Sequence, residues 1–93
     1  MAFEEKIKEI LDNFNLGNFL KAEGIAKSLL AKNIKHYQLY YIYGLTLVKL
    51  DKNEGAISYL QKSIHLKPDF FEAHFNLSYL FYKVQQLLLR CLD

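Results

Sequence analysis

The sequence repeats itself. Slid along itself by 34 residues, it brings Ala22 onto Ala56, Leu11 onto Leu45, Ile25 onto Tyr59 and Leu30 onto Ile64, while Phe3 meets Tyr37 and then Phe71. A fixed period of this size belongs to helical hairpins stacked in a row, each burying its apolar face against the next. The spacing predicts an all-α chain. It also predicts a surface rather than a chemistry, because stacked hairpins bring no reactive group with them.

Period and punctuation divide the chain into five helices. The first spans residues 3–14, with Ile7, Ile10, Leu11 and Phe14 on one stripe, the spacing of an amphipathic helix. Gly17 can take a left-handed backbone in the break that follows, and Asn18 is placed to cap the second helix, 19–31. Small residues at Ala22 and Ala26 would let helices approach closely. The third helix, 36–50, carries Tyr37, Tyr40, Tyr41 and Tyr43 on more than one face, so it should touch neighbours on two sides. The fourth, 54–66, ends before Pro68, which cannot continue a helix. Asp69 with Glu72 three residues on reads as a capping box for the fifth, 70–92, which contains neither Gly nor Pro.

The middle period carries a resemblance. Tyr40, Gly44, Leu47, Ala56 and Pro68 stand where the tetratricopeptide repeat has a large aromatic, a helix-contact glycine, a large apolar residue, a packed alanine and a closing proline. The chain therefore resembles a short tetratricopeptide array, a single domain with repeats at about 3–36 and 37–70 and a partial third at about 71–92. The first repeat matches mainly in its second half, through Gly17, Phe19, Ala22 and Leu29. The third opens like the family at residues 72–78, but Gln85 replaces its turn glycine and Arg90 its packed alanine. What the resemblance implies is a right-handed superhelical array of antiparallel hairpins.

In such an array the first helices of successive repeats line a concave face that grips peptides. Mapped by the 34-residue register, that face is made of Ile7, Tyr41 and Phe75; Lys8, Ile42 and Asn76; Leu11, Leu45 and Tyr79; and Phe14, Val48 and Tyr82, with Lys49 and Lys83 at its edges. An aromatic groove of this kind suits an extended or helical peptide. Asn76 matches the family's asparagine that hydrogen-bonds a bound backbone, a solvated helix Asn being the plainer reading. The carboxylate clamp of chaperone-binding members is missing, since Ile7, Leu11, Ile42 and Glu72 fill four of its five polar places.

Other functions find little footing. A formal net charge of +2 over 93 residues gives no nucleic-acid footprint, and no apolar run approaches the roughly 20 residues of a membrane span. The N-terminal residues lack a secretory pattern, and the single cysteine, Cys91, permits no internal disulfide, so a cytoplasmic, reducing setting is expected. His36, His65 and His74 lack metal-ligand spacing, no phosphate loop or nucleophile elbow occurs, and neither a cofactor nor an enzyme activity is expected. Two alternatives to peptide binding stay open. The apolar tail with Leu88, Leu89 and Leu92 could pair the chain with a copy of itself as a structural device. The chain could also be the recruiting piece of a larger repeat-containing enzyme.

Overall fold

The computed structural model describes residues 3–92, the side chain of Leu92 excepted. Five helices follow one another: α1 (Phe3–Asn15), α2 (Phe19–Ala31), α3 (Tyr37–Lys49), α4 (Asn53–Leu66) and α5 (Phe71–Leu92). No boundary departs by more than one residue from its sequence-based position. Consecutive helices pack against each other, and no strand occurs among the described residues. The chain is an all-α array of helical hairpins.

The turns repeat as faithfully as the apolar pattern. At the end of α1 the Asn18 amide donates to the Asn13 carbonyl at 2.8 Å and Gly17 donates to Phe14 at 3.0 Å. At the end of α3 the bonds fall 34 residues later, Lys52 to Leu47 at 2.8 Å and Asp51 to Val48 at 3.1 Å. This paired closure needs a left-handed residue. Gly17 supplies it at φ 83° and Asp51 at φ 63°. Glycine takes that conformation without strain, and a short polar side chain tolerates it.

The helix starts are less regular. Asn18 stands at the start of α2 without a side-chain capping bond, whereas His36 caps α3 by accepting from the Gln38 amide at Nδ1, 3.1 Å away. The capping box expected at Asp69 does not form. Lys67 accepts from the Phe70 amide at 3.1 Å, closing a turn over Pro68 and Asp69, and the Phe70 carbonyl takes the first bond from His74 at 3.3 Å. That turn delays α5 by one residue and leaves Asp69 4.0 Å from Lys67 Nζ.

Close helix approach holds the middle of the molecule together. Ala22, Ala26, Ala56 and Leu60 are fully buried, and a Cβ placed on Gly44 would lie 3.1 Å from Leu60 Cγ. Two buried hydroxyls are satisfied inside that packing: Thr46 donates to the Ile42 carbonyl at 2.8 Å, and Ser63 donates to the Tyr37 carbonyl at 2.9 Å, tying α4 to α3. The tyrosines of α3 do reach two sides. Tyr40 and Tyr43 set their rings 5.8 and 4.6 Å from Tyr59 on α4, while Tyr37 and Tyr41 lie 5.2 and 4.8 Å from Phe70 at the entry to α5. Among the described residues no helix is long and apolar enough to cross a membrane.

Candidate functional site

The site is built around α5, at 22 residues the longest helix. With 3.6 residues per turn, its sequence divides it into distinct faces. Ala73, Leu77, Leu80 and Val84 turn toward the core, Ala73 and Leu80 fully and the other two partly buried. Phe71, Phe75, Tyr79, Tyr82 and Leu89 share the opposite face and are between 49% and 78% exposed. Asn76 occupies one flank, toward α3. His74, Ser78, Phe81, Gln85 and Leu88 occupy the other and are exposed.

Asn76 joins α5 to α3. Its Nδ2 donates to the Glu72 carbonyl at 2.8 Å and to the Tyr41 hydroxyl at 3.1 Å. A backbone carbonyl only accepts, so the NH2 group must face it and Oδ1 must face away. Among the described residues no donor engages that Oδ1, and the Tyr41 hydroxyl keeps its own proton to give. Burial raises the Tyr41 hydroxyl pKa and the Glu72 carboxylate adds to the rise, with the Asn76 bond pulling the other way. Tyr41 is therefore a neutral donor at ordinary pH. One donor and one acceptor thus lie side by side next to a row of exposed aromatic rings.

The rest of the sequence-derived groove is graded. Ile7 and Ile42 are not surface residues: at 8% and 5% exposure they belong to the core, because α1 and α3 also pack on each other and α3 is flanked by α2 and α4. Leu45, Val48 and Phe14 are half-buried, Leu11 is 40% exposed, and Lys8 and Lys49 are exposed. Lys83 is half-buried on α5. What the structure leaves exposed is Phe75, Tyr79 and Tyr82, with Tyr41 and Asn76 half-buried beside them. His74 is exposed, and its Nε2–H donates to the Pro68 carbonyl at 2.7 Å.

Of the tail residues, Leu88 and Leu89 are 62% and 49% exposed, while the Leu92 side chain lies outside the described residues. Leu87, Leu88 and Cys91 border an open hollow of about 250 Å³ against the start of α4. Asn53 Oδ1 on its wall is buried, with no hydrogen-bond donor among the described residues.

One buried charge has no counterpart in the sequence reading. Glu23 of α2 is 6% exposed and accepts from Lys52 Nζ at 2.8 Å, with Lys27 Nζ at 3.9 Å. Lys27 is a helix neighbour that spacing alone can suggest. Lys52 lies 29 residues away in a turn, where no local pattern points to it. The pair ties α2 to the turn between α3 and α4, and Glu23 also helps raise the Tyr43 hydroxyl pKa, after burial and Tyr59.

No protein-family model matches the chain, and no curated protein is detectably similar to it in sequence.

Proposed function

We propose that this chain is a protein-interaction module of the tetratricopeptide kind, which binds a peptide or helix of a partner protein along the α3–α5 face. The reading rests on one observation: the unspent Tyr41 hydroxyl proton and Asn76 Oδ1 stand together beside Phe75, Tyr79 and Tyr82. A peptide group presents one carbonyl and one N–H, which that donor and acceptor complement. The aromatic row supplies apolar contact area with few torsions to freeze. The repeat register and its matching turns support the family assignment.

Selection of peptides from a random display library on the immobilised chain provides the probe. The enriched peptide is then titrated by calorimetry into the wild type and two variants. Asn76→Ala is expected to weaken binding roughly ten-fold, the size of one lost hydrogen bond. Tyr79→Ala is expected to cost about 2 kcal/mol, as for a central aromatic contact. Helical content should stay unchanged in both. Undiminished affinity in the two variants would remove this face from the function.

A further inference from the structure

Helices α3 and α4, with the turn that precedes α3, border a hollow of about 590 Å³. Lys35 of the turn and Lys62 and His65 of α4 line it, beside Tyr40, Ser58 and Gln61. No carboxylate lines it, and among the described residues neither Lys35 nor Lys62 makes an ion pair. The one acid of α4, Glu54, stands eight residues before Lys62 and borders the hollow at Leu87 and Leu88 instead. That is about 12 Å along the helix axis. Lys62 Nζ lies 4.5 Å from the centre of the Tyr59 ring, which packs on Tyr40 at 5.8 Å. The aromatic pair steadies one ammonium at the wall.

The first repeat holds a matching hollow of about 400 Å³ between α1 and α2. Its lining is the same in register: Lys6 stands for Tyr40, Gly24 for Ser58, Ser28 for Lys62 and Lys32 for Leu66. Repeat geometry therefore makes the hollow. It does not make the sign. The cations of the first, Lys6, Lys21 and Lys32, fall on Tyr40, Gly55 and Leu66, so no cation is shared in register. Positive charge enters each hollow from different positions. In the first, Lys6 is engaged by Glu9 at 3.4 Å, whereas both ammoniums of the second are unspent.

We propose that the second hollow holds the phosphoryl group of a phosphate monoester. Such a group carries a charge of about −1.5 to −2 at neutral pH, which the two lysines match. No arginine lines the hollow, so the planar fork that favours a carboxylate is missing. Ammonium point charges with the Ser58 hydroxyl, the Gln61 amide and the His65 imidazole offer donors from several directions, as a tetrahedral group with three acceptor oxygens requires. The hollow is larger than a phosphoryl group and falls in the range of about 300–1,000 Å³ that organic ligands occupy. The Tyr40 ring and Leu66 give the body of an ester an apolar wall. None of these residues belongs to the Tyr41–Asn76 face, so the site does not depend on the peptide-binding reading.

Backbone amide spectra of the full chain, recorded at constant ionic strength near 0.1 M, test it. Inorganic phosphate should shift the amides of Ser58, Gln61, Lys62 and His65 saturably, with a Kd on the order of a millimolar. Phenyl phosphate should bind about ten-fold tighter through its ring, and acetate at least about ten-fold more weakly than phosphate. Lys62→Gln and Lys35→Gln should each weaken phenyl phosphate about ten-fold with helical content unchanged. Lys21→Gln removes the same charge one repeat away, where salt screens it, and should stay within about two-fold. A phosphotyrosine tripeptide and a nucleoside monophosphate then carry the group on a protein segment and on a free metabolite, and the tighter of the two identifies the source. Shifts that never saturate, acetate binding as well as phosphate, or an equal loss from Lys21→Gln would each overturn the site and leave only diffuse positive charge.

Discussion

Helices α3 and α5 are written in the same register and meet opposite fates. On α3 the register places Tyr43, Gly44, Thr46 and Leu47 are all buried, since α2 and α4 close on it from two sides. On α5 only two of their counterparts follow: Leu80 is buried and Leu77 partly so, while Ser78 and Phe81 are exposed. The difference lies in the neighbours, because a repeat helix cannot bury its apolar faces alone. A pattern that encodes core where helices close on both sides leaves apolar surface exposed where they do not.

Truncation should separate the two regions most sharply. Leu60, fully buried between α3 and α4, should cost about 2–5 kcal/mol when replaced by alanine. In a domain this small that approaches the whole stability. Leu89→Ala, removing an equal side chain from the exposed face of α5, should stay within about 0.5 kcal/mol. Urea unfolding followed by circular dichroism measures both. Comparable losses would mean that α5 is covered after all.

Most of the architecture could be read in advance because it depends on local signals. Gly17 and Pro68 punctuate the helices, and the small residues Ala22 and Ala56 mark the close contacts that the structure places at zero exposure. The candidate site was legible only in part. Register assigns Ile7, Ile42 and Phe75 to one face, but it cannot tell how far each is covered, which depends on how many helices surround it. Burial accordingly falls from Ile42 at 5% exposure to Phe75 at 74%. The Tyr41–Asn76 bond joins residues 35 apart, and the Glu23–Lys52 pair joins residues 29 apart. Such pairings need the fold before they can be seen.

Overpacking probes the same contrast with a smaller effect. Ala56→Leu forces a large side chain into the contact where the Ala56 carbonyl already lies 3.4 Å from a Cβ built on Gly44. A loss of about 1–3 kcal/mol is expected. Arg90 holds the equivalent register place on α5 and is exposed. Arg90→Leu introduces the same side chain there and should shift stability by no more than about 0.5 kcal/mol. A matching loss at Arg90 would reveal a helix packed against the end of the array.

The gentlest comparison is made with pH. Tyr43 is buried against Tyr59, and burial raises its hydroxyl pKa, Tyr59 and Glu23 adding to the effect. In the unfolded chain tyrosine titrates near 10. Below that pH both states hold the proton, and the contribution to stability is present in full. Above it the unfolded state releases its proton first, so stability declines as pH rises through the folded value. Tyr43→Phe keeps the ring against Tyr59 and removes the titrating group. Urea midpoints measured near pH 9 and pH 11 should therefore draw closer together in this variant than in the wild type, because one linked proton has gone. An alkaline slope left unchanged by Tyr43→Phe would remove this hydroxyl from the linkage.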